Sequence, residues 1–233
     1  MIIAVEGLDA SGKNTQTRAL EKLLQPSQRI SFPRYEGPFG QVIKKHLMEK
    51  VALFERDPTK ITEHWERSPD DAAAFQALMT MDKYDAASEI KALDRKGIHV
   101  ILDRYWPSAC CYGADDGLDF SSMIRINSFL PQADLNILLD ISVEEATRRR
   151  PEARDRYERD KEKLKHIRGR YLHMWDVMGM AAAKQEYPPR LGEIKKAWVV
   201  LNGEKDATEI TRQILAAGIA AGFSLHITEN PNG

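Results

Sequence analysis

Cysteine is scarce in this chain, and the only two, Cys110 and Cys111, are neighbours. Adjacent cysteines seldom close a bridge without strain, which speaks against a disulfide framework and for two small buried thiols in a reducing compartment. A net field of either sign is missing too, since 34 Lys and Arg stand against 35 Asp and Glu, a formal charge of -1. That balance argues against nucleic acid or a membrane surface as a partner, so any bound anion must be held by a local cluster. No apolar run approaches membrane-spanning length, and Met1 to Glu6 is too short and lacks the basic flank of a secretory signal. A soluble, cytoplasmic protein is expected. Internal repeats and low-complexity linkers are also absent, and 233 residues suit one α/β domain, because a single core grows to roughly 250 residues before splitting.

What is present is an alternation of strands and helices. Ile2 to Glu6 is a compact aliphatic run leading into Gly7, and Thr15 to Leu24 follows with Ala19, Leu20, Leu23 and Leu24 at helical spacing. Arg29 to Phe32 is a second predicted strand, stopped by Pro33; Gly40 to Met48 is a predicted helix with Val42, Ile43, His46 and Leu47 as its inner stripe. Val51 to Asp70 is charged and holds Pro58 and Pro69, which predicts a surface insertion. Ala72 to Arg95 is a long helical pattern ended by Gly97, after which His99 to Leu102 runs as a buried-type strand into Asp103. Asp134 to Asp140 repeats that form; Val143 to Arg150 is a helix with Ser142 as its cap. Ala197 to Leu201 and Asp206 to Ala221 close the pattern, leaving a polar tail over 222–233. Strands that are apolar throughout and alternate with helices predict a parallel sheet covered on both faces.

Gly7, Leu8, Asp9, Ala10, Ser11, Gly12 and Lys13 fit the first seven positions of the Walker A pattern, between a predicted strand and a predicted helix. Such a loop turns backbone N–H groups around a phosphate, the following helix presents its positive end, and Lys13 supplies a point charge. Asn14 stands at the eighth position, where a Ser or Thr hydroxyl normally binds magnesium. Its amide oxygen, Thr15 and Asp103 are the candidate metal ligands. At the end of the third strand, Asp103, Arg104 and Tyr105 fall where open parallel sheets bind ligands, so the acid suits metal or proton handling and the arginine a second phosphate. Arg148, Arg149, Arg150, Arg154, Arg156 and Arg159 crowd one short stretch. Such a run is either a solvated helix surface, as the Lys161 to Lys165 stretch is expected to be, or a lid that stabilises charge on a transferring phosphoryl group.

Together these residues resemble the thymidylate kinase family, in which a loop of the form Glu-Gly-x-Asp-x-x-Gly-Lys precedes Phe-Pro, Asp-Arg-Tyr and an arginine-bearing lid. Here those motifs are Glu6 to Lys13, Phe32 with Pro33, Asp103 to Tyr105, and Arg148 to Tyr157. The resemblance implies a P-loop NTPase fold with a five-stranded parallel sheet, a lid near 148–160, and a homodimer; the one kinase domain expected over 1–221 departs from the family in its insertion near 51–70 and in the tail after Ala221, both longer than the family leads one to expect. It implies transfer of the ATP γ-phosphate to dTMP with Mg²⁺. Gly7, Ala10, Ser11, Gly12, Lys13, Asn14 and Thr15 would then hold ATP, with Arg149 on its adenine. Asp9 would contact the acceptor sugar, Arg104 and Arg34 its phosphate, with Phe32, Pro33, Tyr105 and Tyr157 also on the acceptor side. Ala10 occupies a position where some members carry a catalytic arginine, so the lid is expected to supply it, Arg154 first, then Arg150 and Arg156. The family's aromatic residue that stacks on thymine and its base-binding arginine correspond to Met79 and Lys83, with Phe75 one turn earlier as another stacking face. Other acceptors, a deoxynucleoside kinase and an ATP-binding switch stay open.

Overall fold

The computed structural model of the chain describes residues 1–48, 69–150, 160–184 and 197–225. Most of the expected insertion, the lid residues Arg154, Arg156 and Tyr157, and the end of the tail lie outside the described residues.

The elements run β1 (Ile2–Gly7), α1 (Lys13–Leu23), β2 (Ser27–Ser31), α2 (Pro38–Met48), α3 (Pro69–Arg95), β3 (His99–Asp103), α4 (Trp106–Asp115), α5 (Phe120–Asn127), β4 (Leu135–Asp140), α6 (Val143–Arg149), α7 (Lys161–Lys184), β5 (Ala197–Asn202) and α8 (Ala207–Ala220). All five strands are parallel, in the order β2-β3-β1-β4-β5. β1 therefore sits at the centre, and every one of its residues is buried.

Successive strand residues point to opposite faces, and the core divides accordingly. Ile2, Ala4, Val100 and Leu102 pack on one face with Ile90 of α3, Cys110 and Cys111 of α4 and Trp175 of α7. Ile3, Val5, Ile101 and Ile137 pack on the other with Leu20 of α1 and Ile210 and Ile214 of α8. Both cysteines are free and buried, as expected. Among the described residues no helix is long and apolar enough to cross a membrane.

Ser142 caps α6 by accepting from the Glu145 N–H, and Gly97, at φ 74°, closes the end of α3. Three elements depart from the sequence expectation. α4 carries no periodicity because eight of its ten residues are buried, so it has no polar face to create one. α5 is the second; it is short and capped by Asp119. The charged stretch 161–165 is the largely exposed helix surface expected of it, but it opens an unexpectedly long helix whose buried stripe, Leu164, Ile167, Tyr171, Met174 and Met178, recurs at helical spacing. Val42 is 43% exposed rather than part of the inner stripe of α2, whereas Ile43 and His46 are buried. Pro69, assigned to the insertion, instead opens α3, a first-turn position that needs no N–H.

Candidate active site

β1 ends at Gly7 and α1 begins at Lys13, so five residues make the turn between them. Gly7 has φ 142°, and a Cβ there would lie 2.5 Å from the Leu139 carbonyl oxygen. Gly12 caps α1 at φ 96° without a side-chain hydrogen bond, which leaves the first-turn N–H groups to an anion. Lys13 is buried, and its Nζ donates to the carbonyls of Leu8 at 2.6 Å and Gly7 at 3.2 Å. Burial and the nearby Arg104 bring its pKa down to about 8 against the opposing pull of Asp9, Asp103 and Glu6, so it is a cation at neutral pH.

Arg104 follows β3 at φ 62°, a backbone state that costs a non-glycine residue on the order of 1 kcal/mol or more. Its N–H is held by the Val5 carbonyl at 3.0 Å. Its guanidinium donates to Asp9 Oδ1 at 2.7 Å, to the Gly7 carbonyl at 3.2 Å and to Ser108 Oγ at 3.2 Å, and lies over the Tyr112 ring. Tyr112 donates to the second oxygen of Asp9 at 3.3 Å. Burial alone would raise the Asp9 pKa, but Arg104 and then Lys13 outweigh it and hold the carboxyl well below the usual range.

Beneath this pair lies Glu6, fully buried, accepting from the Tyr105 N–H at 2.6 Å and from Ser108 Oγ at 2.5 Å. Desolvation pushes its pKa up, partly offset by Ser108 and Arg104. Glu6 thus fixes the backbone after Arg104 and the first turn of α4.

Two cavities adjoin here. The outer, of about 540 Å³, is within the size range of small-molecule sites. It gathers the expected Ala10, Gly12, Lys13, Asn14, Thr15, Phe32, Asp103, Arg149 and Arg150. The inner one is lined by Phe75, Gln76 and Met79 of α3 and by Ser108, Ala109 and Tyr112 of α4. Asp9, Pro33, Tyr35 and Arg104 line both. Arg149 donates to the Ala10 carbonyl at 3.3 Å while bonded to Glu145, whereas Arg148 is 74% exposed and paired with the same acid.

Ser11 is buried under the loop, its N–H on the Leu8 carbonyl. Among the described residues, three expected acceptor residues line neither cavity. Arg34 turns onto α3, where Asp82 at 3.3 Å, Asp85 and Glu89 at 3.8 Å hold its guanidinium. Lys83 is buried, donating to the Met79 carbonyl at 2.8 Å with the Phe32 ring beside it; burial brings its pKa down to about 8. Tyr105 packs its ring 5.5 Å from that of Phe32, in the core.

Sequence reasoning missed Tyr35, Gln76, Ser108 and Tyr112. The last two stand one turn apart on α4, a spacing that becomes visible once α4 is known to be a helix. Among the described residues no group of three His, Cys, Asp or Glu side chains gathers to hold a metal. The oxygens that suit a hard cation are those of Asp103, Asn14 and Thr15 on the outer cavity wall, and a magnesium ion there would take its remaining ligands from water and phosphate.

Comparison with known proteins gives a consistent picture. The family model described as thymidylate kinase matches residues 5–183. A thymidylate kinase of Dictyostelium discoideum is 26% identical over 219 residues, covering 92% of this chain and 82% of its own length. A probable thymidylate kinase of Pyrobaculum calidifontis is 33% identical over 174 residues, covering 74% and 81%. A solved thymidylate kinase structure from Candida albicans superposes with a TM-score of 0.73 at 22% identity, covering 97% of this chain and 96% of that one, which supports the fold.

Proposed function

The chain belongs to the thymidylate kinase family, and from that premise we propose that it transfers the γ-phosphate of ATP to dTMP, giving dTDP and ADP. One observation carries the reading: the Asp9–Arg104 pair stands on the wall shared by two adjoining cavities, one opening on the P-loop and one between α3 and α4. A donor phosphate on the loop and an acceptor phosphate beside Arg104 would face each other there. An acceptor phosphate oxygen attacks the γ-phosphorus, the bond to the β-phosphate oxygen breaks, and ADP leaves with that electron pair.

Lys13 and the amides of α1 would hold the donor phosphates. Arg104 would align the acceptor, its guanidinium already fixed by Asp9 and the Gly7 carbonyl, so little reorganisation is needed. Arg150 on the cavity wall would meet charge on the transferring group, with Arg154 and Arg156 of the lid as further candidates. Magnesium, held by Asp103 with Asn14 and Thr15 nearby, would neutralise charge on the phosphate oxygens. Phe75 and Met79 would flank the base, with Gln76 at its edge. A homodimer and a cytoplasmic location belong to the same proposal and rest on family membership and on the two free thiols.

The test is ADP formation from ATP and magnesium with dTMP, dUMP, dCMP, dGMP, AMP and thymidine offered singly. The highest kcat/KM is expected for dTMP. A preference for thymidine would overturn the phosphate-acceptor assignment, and a preference for another monophosphate would overturn the base assignment alone.

A further inference from the structure

Arg29 entered no motif, yet it links the residues that the metal reading depends on. It lies on β2, opposite Ile101 of β3 and two residues before the strand end where Asp103 stands. Its Nη2 donates to Asp103 Oδ2 at 2.7 Å and to Asn14 Oδ1 at 2.9 Å, and its Nε donates to Thr17 Oγ1 at 2.8 Å. The backbone N–H of Arg29 is held by Glu21 at 3.1 Å, and the side chain is only 17% exposed. Asn14 Oδ1 also accepts from Arg18 Nε at 3.1 Å, so both acceptor sites of that amide oxygen face guanidinium groups.

Two oxygens suited to a hard cation thus converge on one guanidinium nitrogen. A magnesium ion binds its oxygens at about 2.0–2.1 Å, so direct coordination by both would need the space that Nη2 holds. The unusual eighth residue of the loop acquires a reason. A Ser or Thr hydroxyl ends one bond nearer the backbone, whereas the longer amide reaches two guanidinium groups at once. The departure at position 14 and the arginine on β2 act as a pair.

We propose that Arg29 is a resident cation of the metal corner, and that a divalent ion engages Asp103 and Asn14 only by displacing its guanidinium. Arg29 is then a positioning residue that sets the metal requirement of the reaction. The inference rests on the P-loop being the nucleotide site, and the experiment separates the two. Binding of ADP alone to the intact protein is measured by calorimetry; binding of Mn²⁺ to the ADP complex is then followed by the electron paramagnetic resonance signal of free Mn²⁺. Arg29→Met is expected to bind Mn²⁺ about tenfold more tightly than wild type, the worth of one charge-assisted hydrogen bond. Arg29→Lys, which keeps the charge but loses the fork, is expected to fall between them and serves if the methionine variant does not fold. Mn²⁺ binding that is unchanged or weaker in the folded variants overturns the proposal while leaving the nucleotide site standing. Failure of wild type to bind ADP removes the reading on which both depend.

Discussion

The two cavities that meet at Arg104 are built on opposite principles. Around the P-loop the charged side chains hold one another: Arg104 on Asp9, Arg29 on Asp103, Arg149 on Glu145, with Glu6 beneath fixing the chain. The inner cavity is walled mainly by packing, from Phe75, Met79 and Ala109, and the buried Gln76 Oε1 and Thr80 Oγ1 of α3 have no hydrogen-bond partner among the described residues. A phosphate is recognised by charge and by fixed N–H groups, which demand a bonded frame. A base is selected by shape and a few edge contacts, which a change of one or two side chains alters. Phosphoryl transfer should therefore be hard to displace from this fold, and acceptor choice easy.

The largest effect that sharpens this contrast is expected on the bonded side. Lys13→Ala should lower kcat by about a thousandfold or more while the circular dichroism spectrum is retained, because it removes the ammonium that the P-loop places on the donor phosphates. The same residue gives a pH signature. Its ammonium, with a pKa near 8, is the form that binds phosphate, so kcat/KM for ATP should hold at neutral pH and fall as pH rises through about 8. A flat profile from pH 7 to 9.5 would show that Lys13 does not carry this step. The smallest effect is expected in the packed cavity. Gln76→Leu should change KM for the acceptor by about tenfold or less, with kcat nearly unchanged, since it removes an edge contact and no charge. A loss as large as that of Lys13→Ala would end the distinction between the two regions.

The same contrast explains what could be read in advance. The P-loop is legible because a backbone cradle must be made from consecutive residues, and all five strands were legible because the central ones are aliphatic runs. The inner cavity draws on residues 75 to 79 and 108 to 112, from two helices far apart in the chain, one of which has no period to reveal it. Arg34 shows a related limit. Its position after Phe32 and Pro33 gives its neighbourhood, but the direction of its guanidinium is decided by Asp82, Asp85 and Glu89 on α3. Arg29 was invisible because a lone arginine on an edge strand has no sequence signature until the fold brings Asn14 and Asp103 to it.

The central claim is that the two cavities pass a phosphoryl group between two bound phosphates. It is tested most directly by incubating the intact protein with γ-³²P-ATP and magnesium, with and without dTMP, and separating the products. The label is expected in dTDP, mole for mole with ADP and only when dTMP is present. Label released as inorganic phosphate at a rate that dTMP does not change would contradict it.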